Sequence, residues 1–190
     1  MFQDGFPISL RDDVSKVMQL IPNKTYNNVS IGTSEQIIKY SQNGAEIVIP
    51  YRIYFLEVPD KLLIKLSLQQ KMILHCIYTR SCDGFVRQKH LCSLLCMVYA
   101  DWAIPYIFKL CDEYVVEILE ITYDILKDKD TERIKRFCLE NVQLFCKSYA
   151  RMISYWNEYY RHKYFNFHEY IGRKLFRDCF GYTRSLERRK

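Results

Sequence analysis

The sequence contains little glycine or proline. Only 6 Gly and 5 Pro occur among its 190 residues, whereas 49% of the residues are hydrophobic. Disordered chains are poor in apolar residues, so this composition excludes disorder as the default state. A chain of this length buries about 70% of the surface that it exposes when unfolded. We therefore predict one packed domain over residues 1–190.

The sequence also lacks a long apolar run. No stretch reaches the roughly 18 uncharged apolar residues that a membrane-spanning helix needs. The N-terminal segment MFQDGFPISLRDD has no basic start followed by an apolar core, because Asp4, Asp12 and Asp13 interrupt it. We therefore expect a cytoplasmic protein without a membrane partner, in which most of the eight cysteines are reduced core groups.

Catalytic motifs are missing as well. The chain has no Gly-rich phosphate loop, no G-x-S-x-G and no H-E-x-x-H. A Cys–His nucleophile pair must meet in space, but the neighbours His75 and Cys76 would project about 100° apart on a helix. We therefore predict no catalytic residue and no cofactor, and a small metal-dependent enzyme is the third functional alternative.

A zinc site is the alternative to a plain helix in the segment CDGFVRQKHLCSLLC. His90, Cys92 and Cys96 lie close in sequence, and the two thiols are at i and i+4 on one helix face. However, no C-x2-C knuckle is paired with a second one, and the segment is typical of a capped amphipathic helix. We predict a helix start, with the thiols packed among leucines.

Apolar periodicity predicts a mainly α fold with a small N-terminal β-hairpin. Strands are expected near 36–41 and 45–49 around Asn43-Gly44, a strong hairpin signal. The predicted helices are 10–21, a helix from an Asp60 cap to about Arg80, 84–98, 101–127 as one helix or as two halves, 132–161 and 167–180.

These elements predict stacked antiparallel helices, as a helical repeat or an irregular bundle. Residues 1–58 would form the N-terminal helix plus hairpin, 59–185 the helical body and 186–190 a basic tail.

Two segments share a local pattern 29 residues apart. CDGFVR (82–87) and CDEYVV (111–116) each place Cys-Asp, a variable residue, an aromatic residue and Val before an apolar run. Internal periods of this size are typical of stacked helix pairs. The first segment resembles the inter-helix turn of HEAT-like helical repeats, in which an Asp ends the turn and Val-Arg opens the second helix.

Asp83, Val86 and Arg87 match that pattern, and the resemblance covers about residues 60–127. Val116 stands where the family has Arg. The resemblance implies a curved stack whose concave face binds another macromolecule, and it implies no chemistry.

Acidic residues repeat along one predicted helix face. These residues are Glu113, Glu117, Glu120 and Asp124. The simplest interpretation is a solvated face, and the alternative is a special site of paired carboxylates. A further hypothesis is a partly buried polar network, in which arginines fold over Glu113 and Glu117. Its members would be Arg80, Asp83, Arg87, Glu113 and Glu117, with Arg151 as an additional cation.

Aromatic and basic residues alternate in SYARMISYWNEYYRHKYFNFHEY (148–170). Such a mixture is used in single-stranded nucleic-acid binding, where bases stack on rings and phosphates meet Arg or Lys, although rings at helical spacing also form core stripes. The candidate interaction surface consists of Arg151, Tyr155, Trp156, Tyr159, Arg161 and Lys163.

We therefore predict a non-enzymatic α-helical interaction protein with a protein partner, and a homodimer would also suit exposed aromatic residues. The alternative is a nucleic-acid-binding protein, because residues 131–190 contain 14 Lys and Arg against 6 Asp and Glu. Binding would then depend on Arg151, Arg161, Arg173, Lys174 and Arg177.

Overall fold

The structure, a computed structural model, describes residues 2–26 and 29–189. Most of these residues lie in helices, and short antiparallel strands lie near the N-terminus. The predicted fold class is therefore confirmed. Within the described residues, no helix has the length and apolar character required to cross a membrane.

Contacts along the chain define two compact units, Met1–Ile107 and Phe108–Lys190. The division falls inside helix α5 (Ile104–Leu110). The predicted subdivision after residue 58 lies within the first unit.

The first unit contains the helices that precede α5. They are α1 (Arg11–Leu20), α2 (Asp60–Leu63), α3 (Leu68–Tyr78) and α4 (Gly84–Cys96). Short 3-10 turns cover Gln3–Gly5, Ile8–Leu10 and Asp101–Ala103. Helix α3 packs against both α1 and α4, and fully buried Val17, Ile73, Ile77, Leu91 and Leu94 form the core between them.

The predicted hairpin is present as β3 (Ile37–Gln42) and β4 (Ala45–Pro50). Asn43 and Gly44 form its turn with φ angles of 52° and 78°, the left-handed values that a two-residue type I′ turn requires. Tyr40 pairs with Ile47, and both side chains are buried.

A second antiparallel pair, β1 (Lys24–Tyr26) and β2 (Val29–Ile31), was not predicted. The β-branched and aromatic residues of KTY and VSI explain this difference, since such residues favour strands. Farther along the chain, Ile53 forms isolated β-bridges to Thr33 and to Ser81.

The helix predicted from Asp60 to Arg80 is interrupted. Helix α2 ends at Leu63, and α3 begins after Ser67. The Ser67 side chain accepts a hydrogen bond from the Gln70 backbone, and the Gln70 side chain accepts one from the Ser67 backbone. This capping box starts the helix that packs in the core, whereas Asp60 lies in the first turn of the short α2.

The second unit contains one further predicted helix that is divided, and residues 101–127 take the second of their two predicted forms. Its helices are α6 (Val116–Leu126), α7 (Glu132–Glu140), α8 (Val142–Tyr155) and α9 (Ile171–Lys174). Residues 101–127 thus form two helices, α5 and α6. The predicted helix 132–161 breaks at Asn141, whose side-chain amide donates to the Phe137 carbonyl at 2.9 Å.

Irregular turns complete the second unit. π-Helical turns cover Trp156–Tyr160 and Leu175–Cys179, and 3-10 turns cover Phe167–Glu169 and Arg184–Arg189. The predicted basic tail is not free of the core, because Leu186 is only 4% exposed.

Phenyl rings fill the core of the second unit. The Phe108 ring lies 5.6 Å from Phe137 and Phe180 and 5.9 Å from Phe145, measured between ring centroids. Phe145 and Phe176 stack at 5.8 Å. These contacts fix α7 and α8 beside the C-terminal turns, and so determine which side chains of α8 face outward.

Candidate functional site

Three tyrosine rings meet on the surface of the second unit. Tyr114, Tyr155 and Tyr159 form a triangle with centroid separations of 6.1, 6.1 and 6.2 Å. Tyr114 is 54% exposed and Tyr159 is 51% exposed. We call these three residues the tyrosine cluster. Two members were predicted as interaction residues, and Tyr114 was not.

Hydrogen bonds of Tyr160 hold the cluster together. Its hydroxyl donates to the Tyr114 carbonyl and accepts the Val116 backbone N–H at 3.3 Å. The start of α6 is thereby tied to the π-helical turn that follows α8. This contact brings Tyr114 to Tyr155 and Tyr159 from a distant part of the sequence.

Cations continue the cluster along the same face of α8. Lys147, Arg151, Tyr155 and Tyr159 follow one another at intervals of four residues, which places them in one row. Lys147 is exposed, and the Arg151 side chain is 44% exposed. The row therefore presents two positive charges followed by two rings.

Asp112 anchors this row from below. Its buried carboxylate accepts Arg151 Nη1 at 3.0 Å and Ser148 Oγ at 2.9 Å, and it forms a short ion pair with buried Lys109. The predicted network placed Arg151 over Glu113 and Glu117, whereas the partner described for Arg151 is Asp112. Arg151 is thus held by one Nη1 bond while much of its side chain remains in solvent.

Trp156 lies in a different group from the tyrosine cluster. Its indole N–H donates to the Tyr164 carbonyl at 2.9 Å, and its ring packs 4.8 Å from Phe167. The Arg161 guanidinium lies 5.9 Å from the centroid of the Trp156 ring. Lys163 Nζ lies 3.8 Å from Glu120 Oε1. The six predicted interaction residues therefore divide between two neighbouring groups.

The acidic face is only partly solvated. Glu117 and Asp124 are exposed, but Glu113 is 5% exposed. Glu120 accepts a hydrogen bond from the Tyr164 hydroxyl at 2.9 Å. One of the four carboxylates is thus buried, and another contributes to the aromatic segment.

The remaining residues of the predicted polar network lie in the first unit. Buried Arg80 donates to the Tyr51 carbonyl at 2.7 Å, and Arg87 donates to the Ser81 carbonyl at 2.9 Å. Asp83 caps α4 by accepting the Phe85 and Val86 backbone N–H groups. Their described partners are mostly backbone atoms, which is typical of groups that shape a turn.

The candidate zinc ligands point to different partners. His90 Nε2 lies 3.1 Å from Glu57 and its Nδ1 lies 2.8 Å from Nδ1 of His75. Burial, and with it the neighbouring Cys96, raises the pKa of Cys92. Cys96 is exposed, so the prediction that both thiols pack among leucines is wrong for Cys96. In the part of the chain that the structure describes, no three His, Cys, Asp or Glu residues converge as metal ligands would.

Burial dominates the acid–base behaviour of the histidine pair. It lowers the pKa of His75 to about 4, with the positive charges of Lys71 and Lys89 acting in the same direction. Burial also lowers the pKa of His90, although the hydrogen bond to Glu57 opposes it. Both imidazoles are therefore neutral at pH 7, which suits a structural pair.

The first unit also contains a cleft of about 650 Å³. Phe6, Ile47 and Trp102 contribute apolar walls, and Gln42 and Arg11 contribute polar atoms. Its size suits a small ligand, but its mixed lining selects no particular chemistry.

Comparison with known protein families, with curated proteins and with solved structures returned no significant match.

Proposed function

We propose that the protein is a non-enzymatic α-helical interaction protein, and that the tyrosine cluster with Lys147 and Arg151 binds an acidic segment of a partner protein. The single observation that carries this proposal is the triangle of rings, two of them half exposed, beside two cations on one helix face. Tyr and Arg are enriched at the energetic centres of protein interfaces.

The shape of the cluster supports a preformed contact surface. Tyr160 ties together the elements that carry the rings. Little conformational freedom of side chains and loops therefore remains to be lost on binding. The two cations would meet the carboxylates of the partner, and the rings would cover its apolar side chains. A second copy of the chain is a less suitable occupant, because Lys147 and Arg151 would face the same two cations across a symmetric contact.

The wider proposal is a scaffold or regulatory protein of stacked helix pairs, similar to HEAT-like repeats, that acts in the cytoplasm. Asp83 supports this comparison because it caps α4 as the family pattern requires. The second segment differs, since Asp112 binds side chains and Val115, not an aspartate, precedes α6. The family pattern would therefore hold at the first of the two segments, 82–87, and not at the second, 111–116.

The test is selection of short displayed peptides on the immobilised protein, followed by fluorescence anisotropy of the enriched sequences. We expect enrichment of acidic peptides containing apolar residues. Tyr159→Ala and Arg151→Gln should each weaken binding roughly tenfold, the loss of one interface anchor. Phe165→Ala is the matched control, because Phe165 is 85% exposed but lies outside the cluster.

Enrichment of neutral or basic peptides, or equal binding by all variants, would contradict the proposal. A second candidate function, nucleic-acid binding, is favoured by the same row of rings and cations. It predicts binding of labelled single-stranded RNA that falls steeply between about 50 and 200 mM salt. That result would replace the protein partner by a nucleic acid.

A further inference from the structure

Three arginines surround a small pocket in the second unit, away from the residues of the tyrosine cluster. Arg173, Arg177 and Arg184 line a cavity of about 170 Å³, together with the Thr183 hydroxyl and His168. We call this cavity the arginine pocket. Rings of Tyr149 and Tyr182, stacked at 3.5 Å, form part of its wall.

Local chain geometry builds the pocket. Arg173 in α9 and Arg177 in the following π-helical turn are four residues apart. Gly181 then adopts a φ of 76°, a left-handed value that glycine tolerates best, and the Tyr182 N–H bonds back to the Phe176 carbonyl at 2.8 Å. This reversal returns the chain, so that Thr183 and Arg184 line the same cavity as Arg173.

The arginines are incompletely neutralised. Arg177 forms a bidentate pair with Asp178, at 2.5 and 3.0 Å. Within residues 2–26 and 29–189, neither Arg173 nor Arg184 forms an ion pair. The nearby acid Glu187 accepts a hydrogen bond from the Tyr182 hydroxyl. The pocket therefore keeps positive charge that its own carboxylates do not fully offset.

Arg173 carries the most specific signal. Its guanidinium lies 5.8 Å from the centroid of the Phe167 ring, which fixes its position. Its Nη1 is buried, and no acceptor for it exists among the described residues. A buried donor without a partner destabilises the fold, and an anion in the pocket would supply the missing acceptor.

We propose that the arginine pocket binds a phosphate group. Planar guanidinium groups match the oxygen atoms of phosphate, and a hydroxyl such as that of Thr183 can donate a further bond. The cavity is smaller than the roughly 300–1,000 Å³ that holds a whole drug-sized ligand. It admits a phosphate group, either free or as the end of a phosphate monoester whose remaining atoms lie outside.

The experiment is isothermal titration calorimetry of the full chain at constant ionic strength. The probes are orthophosphate, a nucleoside 5′-monophosphate and the same nucleoside without phosphate. We expect saturable binding of the first two and none of the nucleoside. Comparable affinity for the first two assigns free phosphate, and tighter binding of the monophosphate assigns an organic monoester. Absence of saturable binding of both in the millimolar range overturns the proposal.

Variants locate the binding. Arg173→Gln should weaken phosphate binding roughly tenfold, as expected for one lost charge-assisted hydrogen bond. Arg184→Gln should act in the same direction, and it guards against misfolding because Arg184 is exposed. Arg136→Gln is the matched control, an exposed arginine on α7 outside the pocket. Equal affinity in all three variants would show nonspecific attraction and overturn the proposal.

Asp178→Asn gives the opposite prediction. It removes the carboxylate that holds Arg177, so phosphate should bind several-fold more tightly. Weaker or unchanged binding would contradict the assigned role of Arg177. Tyr159→Ala should leave phosphate binding unchanged, so failure of this site and failure of the tyrosine cluster are distinguishable.

Discussion

Nδ1 of His75 lies 2.8 Å from Nδ1 of His90, and Nε2 of His90 lies 3.1 Å from a Glu57 carboxylate oxygen. An ionised carboxylate only accepts, so neutral His90 carries its proton on Nε2 and donates to Glu57. Its Nδ1 is then an acceptor, and His75 must donate from Nδ1. The geometry thus assigns one tautomer to each ring, and the chain Glu57–His90–His75 is complete only when both imidazoles are neutral.

The first prediction concerns pH. The pKa of His75 is about 4 in the native protein and 6.5 in its ordinary state, so between these values the unfolded chain binds a proton that the native chain excludes. The free energy of unfolding should therefore fall as pH decreases from 6.5 to 4, by at most about 3 kcal/mol from this group. Urea unfolding followed by circular dichroism at several pH values measures it.

His75→Gln isolates the contribution of this group. The variant should lose part of the pH dependence between 4 and 6.5, whereas His162→Gln, at an exposed position, should retain it. Carboxylates that titrate in the same range act equally in all three proteins and cancel in the comparison. Parallel curves for wild type and His75→Gln would show that the histidine pair is not coupled to folding.

The second prediction concerns the buried carboxylate of Asp112. Asp112→Asn removes the negative charge from buried Lys109 and weakens the bonds from Ser148 and Arg151. Losing this buried charge and weakening the bonds that it accepts should cost about 3 kcal/mol. Chemical denaturation should show this loss, and Asp128→Asn, at an exposed position, should leave the midpoint unchanged. A midpoint shift of similar size in both variants would contradict the argument.

Local signals in the sequence predicted much of the fold. Asn43-Gly44 determines its turn through its own φ angles, and Asp83 caps α4 through groups two and three residues away. The start of α3 was missed although Ser67 and Gln70 carry a capping-box pattern, because apolar residues continue through LLIKL and conceal the break.

The surfaces were harder to predict because they depend on contacts between distant residues. Tyr114 joins Tyr155 only because Tyr160 bonds to the start of α6. Arg184 reaches the cavity of Arg173 only because Gly181 reverses the chain after a π-helical turn. Periodicity places a residue on a helix face, but it does not determine which loop returns to that face.

The third prediction concerns thiol reactivity. Cys82 and Cys96 are exposed, whereas Cys76, Cys111, Cys138, Cys146 and Cys179 are buried. Burial raises the pKa of Cys179 to about 11, and it also raises the pKa of Cys138 well above its ordinary value, whereas thiolate is the reactive form. A maleimide at pH 7 should label Cys82 and Cys96 first, as detected by peptide mass spectrometry of the native protein. Early labelling of Cys138 would contradict the described core, and labelling in urea provides the control for access.

The fourth prediction uses two glycines in opposite surroundings. A Cβ atom at Gly172 would lie 2.7 Å from Tyr170 Cε1 and 2.9 Å from Met152 Cγ, and both of these side chains are buried. Gly172→Ala should therefore destabilise the protein by about 1–3 kcal/mol through overpacking of α9 against α8. At Gly84, the first residue of α4, the nearest atom would be Arg87 Nη2 at 3.7 Å, an ordinary contact.

Gly84→Ala is therefore the matched control, and it should be neutral or stabilise the protein by about 0.4–1 kcal/mol, since alanine restricts the unfolded chain without native strain. Urea denaturation of the two variants measures both effects in one experiment. The opposite signs matter, because a general cost of replacing glycine would lower the stability of both variants. If Gly172→Ala were as stable as wild type, the side chains of Met152 and Tyr170 would have to move away from the added methyl group. The close approach of α9 to α8 could then not be a requirement of the fold.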